Sequence, residues 1–193
     1  MGHRFAELAF TPAVRAVQEE MGSRAAYARM EGGPDHHDAL GPDEAGFIAA
    51  RDSFYLASVG ETGWPYLQHR GGPPGFVHVL GPRTIAFADY RGNRQYVTVG
   101  NVGHDDRVAL FFMDYPARTR LKLLGHARLV GPEDPALLAA LAPSPAAGRV
   151  ERAFVVEVAA FDWNCSQHIT PRFTEAELEA GLGPGQPWVP AAK

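Results

Sequence analysis

SFYLASVGETGWPYLQHRGGPPGFVHVLGPRTIAFAD, residues 53–89, decides the fold. Within it the short aromatic and β-branched runs SFYLASV, PYLQHR, FVHVL and TIAFAD are separated by GETGWP, GGPPG and LGPRT, the punctuation of strands joined by tight connections. RVALFFMD (107–114), RTRLKLLGHARLVG (118–131) and RAFVVEVAAFD (152–162) continue the pattern, giving six or seven strands in roughly 110 residues. Only a short helix at 93–102 and another over DPALLAALA interrupt them. This order predicts a mainly β chain of the α+β class, whose antiparallel sheet meanders and curls into a barrel to remove its edges.

Before residue 53 the pattern is helical. Thr11 stands as N-cap with Pro12 at the first helical position, and Val14, Val17 and Met21 follow at near-helical spacing until Gly22 and Ser23 interrupt. EGGPDHHDALGPDE is a polar loop, followed by a short helix over DEAGFIAAR. The tail GLGPGQPWVPAAK is rich in Pro and Gly, and no internal repeat is present.

Composition narrows the function classes. The 193 residues are 46 % hydrophobic and 21 % charged, near globular averages, and no window approaches the 18 to 20 unbroken apolar residues of a membrane span. Glu7 and Pro12 break the N-terminal apolar run too early for a secretion signal, so a cytoplasmic protein without membrane partners is expected. The single Cys165 allows neither an internal disulfide nor a zinc site. A net charge of -4 disfavours nucleic acid, while leaving room for local basic clusters that hold one small anion.

Three stretches break the apolar pattern with groups suited to a polar, planar, negatively charged ligand. In QHRGGPPGF, Gln68, His69 and Arg70 end a strand, and Gly71 and Gly72 bare the backbone where the chain turns or a flat ligand lies. In DYRGNRQYVTVGN (89–101), a helix starting near Gly92 or Asn93 would aim its free N–H groups at an anion, with Arg91, Asn93 and Arg94 completing a phosphate site. In FDWNCSQHITPRF, Trp163, Asn164, Gln167, His168 and Arg172 crowd the end of the last strand, an aromatic face with adjustable donors for a heteroaromatic ring. Asp35, His36, His37 and Asp38 read as an exposed loop rather than a metal site, and His78 and His126 as ordinary strand histidines.

These motifs, HRGG after the second strand, DYRGNR after the fourth and WNCSQHITPRF after the last, resemble the flavin-binding split-barrel family related to pyridoxamine 5'-phosphate oxidase. The resemblance covers residues 45 to 173, leaving 1–44 as an N-terminal helical extension and 174–193 as a short helix and Pro/Gly-rich tail. It implies a six-stranded antiparallel split β-barrel with flanking helices, a homodimer, and FMN bound between the subunits. By that similarity His69, Arg70 and Gly71 lie along the isoalloxazine and ribityl chain. Asp89, Tyr90, Arg91, Asn93 and Arg94 belong to the cofactor site, the last two on the phosphate. Trp163, Asn164 and Gln167 approach the flavin from the end of the last strand, with His168 and Arg172 as candidate catalytic residues.

The departures bear on substrate. Vitamin B6 oxidases carry a compact Arg-x-His element near their C-terminus, whereas here His168 precedes Arg172 by four positions. The expectation is therefore an FMN-dependent oxidoreductase acting on a small organic substrate other than a B6 vitamer. The alternatives are a non-catalytic flavin-binding or electron-transfer protein, or a split barrel holding deazaflavin or haem.

Overall fold

The computed structural model describes residues 3–142, 149–163 and 167–181. Seven strands are present among these: β1 (Ser53–Val59), β2 (Pro65–Gly71), β3 (Val77–Gly81), β4 (Thr84–Tyr90), β5 (Arg107–Asp114), β6 (Thr119–Val130) and β7 (Val150–Trp163). They form one sheet in the order β2-β1-β5-β6-β7-β4-β3, every pairing antiparallel. The expectation of six strands is corrected to seven, because the short run of β3 pairs with β4 in a hairpin from Val77↔Phe87 to Gly81↔Thr84, with a bulge between Val79 and Gly81.

Period-two alternation decides which side chains face inward. Phe54 and Leu56 of β1, Leu110 and Phe112 of β5, and Leu121 and Leu123 of β6 are fully buried on one face. Phe54 lies within 5.8 Å of the Phe76 ring, 5.1 Å of Phe87 and 4.9 Å of Phe112, measured between ring centroids. Each such ring contributes about 1.5–3 kcal/mol by leaving water. β1 and β4 stand four places apart in the sheet, a separation of about 19 Å if the sheet were flat. The contact of Phe54 with Phe87 therefore requires the sheet to curl around its own core.

Seven helices flank the barrel among the described residues. α1 (Arg4–Ala9), α2 (Pro12–Glu20) and α3 (Arg24–Glu31) make the N-terminal layer, in which Thr11 Oγ1 caps α2 by accepting the Val14 N–H at 3.4 Å. α4 (Pro42–Ala49) sends Ile48 into the core. α5 (Val97–His104) contributes Val102 to the same core, and Asn101 Nδ2 donates to Ser58 Oγ at 3.0 Å. α6 (Pro135–Leu141) covers a smaller cluster of Ala86, Val130, Ala153 and Val155 on the other face of the sheet, and α7 (Glu175–Glu179) follows the barrel. No helix among the described residues is long and apolar enough to cross a membrane.

Candidate functional site

The segment leaving β4 builds the site. Between Asp89 and Tyr90 the pairing with β7 slips, Asp89 opposing Arg152 and Tyr90 opposing Val150. A bulge of this kind re-aims side chains at the rim of a barrel. The expected helix at Gly92 or Asn93 starts later, at Val97. Asn93 Oδ1 captures the Gln95 N–H at 3.1 Å, and Arg94 (φ 62°) and Tyr96 (φ 54°) adopt left-handed backbone that no helix can propagate.

The displaced start leaves a cleft of about 290 Å³ between β2, β4 and this segment. Tyr66, Gln68 and Arg70 line it from β2, and Asp89 and Tyr90 from β4. Asn93, Arg94, Tyr96 and the first residues of α5 close the third side. Three of its residues, Tyr66, Gln68 and Arg70, come from positions that local patterning alone does not connect to the DYRGNR run.

Charge is concentrated here. Asp89, 6 % exposed, accepts from Arg70 Nη1 at 2.9 Å through one oxygen and faces Arg152 Nε at 3.5 Å through the other. Glu151 Oε2 accepts from Arg152 Nη2 at 3.0 Å and from the Tyr96 hydroxyl at 3.1 Å, while its Oε1 lies 3.9 Å from Arg91 Nε. The Arg152 guanidinium lies over the Tyr96 ring at 4.9 Å, and that of Arg70 over Phe154 at 5.3 Å. A hydrogen bond with Tyr96 holds the exposed Arg94 guanidinium above its usual pKa. Arg70, Arg91, Arg94 and Arg152 thus face Asp89 and Glu151, four positive charges against two negative.

Two buried polar atoms in the lining have no hydrogen-bond partner among the described residues, Arg70 Nε and the Tyr90 hydroxyl. Such orphans are rare in folded proteins and mark strain or a missing partner. Burial also raises the Tyr90 pKa.

The other sequence candidates lie elsewhere in the chain. His69 alternates with Arg70 onto the opposite face of β2, where its ring meets Tyr55 edge to face at 5.7 Å. The bare backbone after it serves the protein's own packing: a Cβ at Gly71 would stand 3.1 Å from His69 Cε1, and one at Gly72 2.7 Å from Phe76 Cγ. Arg172 stacks on Tyr115 at 4.9 Å, and Tyr115, its pKa raised by burial and then by a hydrogen bond with Tyr55, links back toward His69. Trp163 donates its indole N–H to Glu44 Oε1 at 2.7 Å and packs edge-on against Phe47. Gln167 and His168 are exposed, and Asn164 lies outside the described residues, as does Cys165.

The model of the family described as pyridoxamine 5'-phosphate oxidase matches residues 41–163, most of the chain. The chain belongs to the pyridoxamine 5'-phosphate oxidase family. Two solved structures share the fold. HupZ of Group A Streptococcus is 12 % identical with a TM-score of 0.52, over 69 % of this chain and 100 % of that one. A candidate pyridoxamine 5'-phosphate oxidase from Lactobacillus delbrueckii is 20 % identical with a TM-score of 0.51, over 65 % of this chain and 94 % of that one. No protein of curated function matches the sequence. Within the pyridoxamine 5'-phosphate oxidase family, the matched span contains β1 to β7 and the whole cleft, from Tyr66 to Val99, together with Arg152 behind Asp89.

Arg152 and Glu151 escaped the reading of the sequence. Their only local signal is a charged pair at the head of an apolar run, and solvated strand ends give the same signal. Their relevance comes from the pairing of β7 with β4, which sets Arg152 opposite Asp89.

Proposed function

We propose that this protein is an FMN-dependent oxidoreductase acting on a small organic substrate other than a B6 vitamer, and that the cleft holds the phosphorylated ribityl end of the cofactor. The observation that carries this reading is the pair of unpartnered buried groups, Arg70 Nε and the Tyr90 hydroxyl, in a cleft also lined by Asn93 and Arg94. The excess of two positive charges around it matches a phosphate dianion. A cleft of about 290 Å³ suits the phosphate and sugar chain, at the lower end of ligand pockets of about 300–1,000 Å³. The tricyclic ring then extends beyond it, toward a second subunit, in keeping with a homodimer that shares its cofactor sites.

Bound flavin supplies hydride or single-electron transfer, and the chain's tasks are to hold, orient and tune it. Arg70, kept in place by Asp89, would set a fixed positive charge beside the ligand without reorganisation during the reaction. Asn93 and Arg94 would anchor the phosphate. His69 and Arg172, gathered with Tyr55 and Tyr115 on the opposite face, would serve a partner's site rather than the cleft of their own chain. His168 would donate a proton to the substrate.

The test is an absorption spectrum of the purified protein with mass-spectrometric identification of the released ligand. Oxidised flavin bands and FMN in the extract support the reading, whereas a colourless protein that FMN cannot reconstitute overturns it. Photoreduction followed by mixing with oxygen, nicotinamides and B6 vitamers then separates an enzyme from an electron carrier. Loss of turnover with retained flavin in His168→Ala supports its role as proton donor, and unchanged turnover removes it.

A further inference from the structure

Away from the cleft, the N-terminal layer meets the barrel through two imidazoles. His3, 5 % exposed, stacks on His37 with ring centroids 4.1 Å apart and planes inclined by 11°. His3 immediately precedes α1, and its Nδ1 accepts the Ala6 N–H at 3.4 Å. That nitrogen therefore carries no proton, and the ring hydrogen sits on Nε2. Nε2 faces Asp162 Oδ1 at 3.9 Å, while Asp162 Oδ2 holds Lys122 Nζ at 3.0 Å.

His37 turns Nε2 toward Asp35 Oδ2 at 3.4 Å, and its buried Nδ1 has no hydrogen-bond partner among the described residues. Its ring packs on Phe161 at 5.0 Å, and its carbonyl accepts the Phe161 N–H at 2.8 Å. Backbone bonds from His3 N–H to Glu31 O and from Arg4 N–H to His36 O complete the docking of α1. The charged and titratable groups around the pair are Asp162 and Lys122 from the barrel, Asp35 and His36 from the loop, and Arg4, Glu7 and Glu31 from the helices. Arg4 is tied to Glu7 at 2.9 Å, and Glu31 to Arg24 at 2.6 Å.

A proton entering the His3 ring has no good place. On His3 it must sit on Nδ1, the atom that caps α1, and any charge on His37 would then lie one ring stack away. Burial first, then the neighbouring His37, holds His3 below its usual pKa, against the opposing pull of Asp162.

We propose that the His3–His37 stack is a pH-sensitive latch, docking α1 on the end of β7 while the His3 ring is neutral and releasing it on acidification. The sign follows from linkage. A released His3 titrates near about 6.5, whereas the docked one resists the proton, so docking is at full strength above that pH and weakens as pH falls through it. One such histidine multiplies the opening constant by at most about tenfold between pH 7.5 and 5.5.

Hydrogen exchange of the α1 amides in the full chain, corrected for intrinsic exchange at each pH, reads that constant. Wild type should open measurably more at pH 5.5 than at 7.5, by up to about tenfold, with the barrel amides unchanged. His3→Asn combined with His37→Phe keeps a cap acceptor and a stacking ring without a titrating group, and its opening should not respond to pH. A wild type that does not respond, or a double variant that rises as steeply as wild type, overturns the latch. Should the double variant not fold, NMR titration of the His3 ring proton in wild type decides, a midpoint at or above 6.5 counting against the proposal.

Discussion

Arg70 on β2 and Asp89 on β4 are 2.9 Å apart although five strand-to-strand steps separate them in the sheet. The barrel's curl brings them together, and their ion pair aims Arg70 into the cleft. Arg70→Ala should raise the FMN dissociation constant by tenfold or more, about 1.4 kcal/mol, in a fluorescence titration. Asp89→Asn should lower the stability of the flavin-free protein by about 1–3 kcal/mol in urea, because a mostly buried guanidinium loses its charged acceptor. A change in FMN affinity below twofold in Arg70→Ala would exclude Arg70 from the ligand site.

Arg94 is exposed and held by a hydrogen bond with its neighbour Tyr96, so its contribution should be specific to the phosphate. Arg94→Ala is expected to weaken FMN binding about tenfold while leaving riboflavin binding unchanged, and added salt should narrow the difference. Equal losses for the two flavins would place Arg94 somewhere other than the phosphate.

Tyr90 offers a contrast between stability and binding. Removing an unpartnered buried hydroxyl should leave the flavin-free protein as stable as before or up to about 1 kcal/mol more stable, while Tyr90→Phe binds FMN several-fold more weakly. The pKa of Tyr90 is raised by burial, so its contribution is fully present below about pH 10 and disappears as pH climbs through the higher folded value. Melting curves from pH 9 to 11 should therefore fall less steeply for Tyr90→Phe than for wild type, and parallel curves would remove Tyr90 from the alkaline transition.

Two glycines should respond in opposite directions to alanine. A Cβ at Gly125, where β6 slips past β7, would stand 2.5 Å from the Glu157 carbonyl and 2.7 Å from Val156 Cγ1, so Gly125→Ala should cost about 2–3 kcal/mol. At Gly100 on α5 a methyl group meets nothing within 4 Å, and Gly100→Ala should gain about 0.5–1 kcal/mol from helix propensity. Urea denaturation of the two variants checks the pair, and a destabilised Gly100→Ala would reveal a close contact on that side of α5.

Strand identity was legible in the sequence because alternation and Gly/Pro punctuation are local. Runs such as FYLASV and VALFFM place every second side chain on one face whatever the rest of the chain does. The basic residues of the cleft were legible for the same reason, clustering in DYRGNR and HRGG. Only the tertiary structure decided which of them meet. Alternation along β2 sends His69 and Arg70 to opposite faces, the curl of the sheet carries Arg70 to Asp89, and the pairing of β7 recruits Arg152 from more than sixty positions away. Left-handed backbone at Arg94 and Tyr96 delays α5 to Val97, and docking of α1 stacks His3 on His37. Each of these depends on register and curvature summed over several strands or on contacts between distant segments, and no short window of sequence contains that sum.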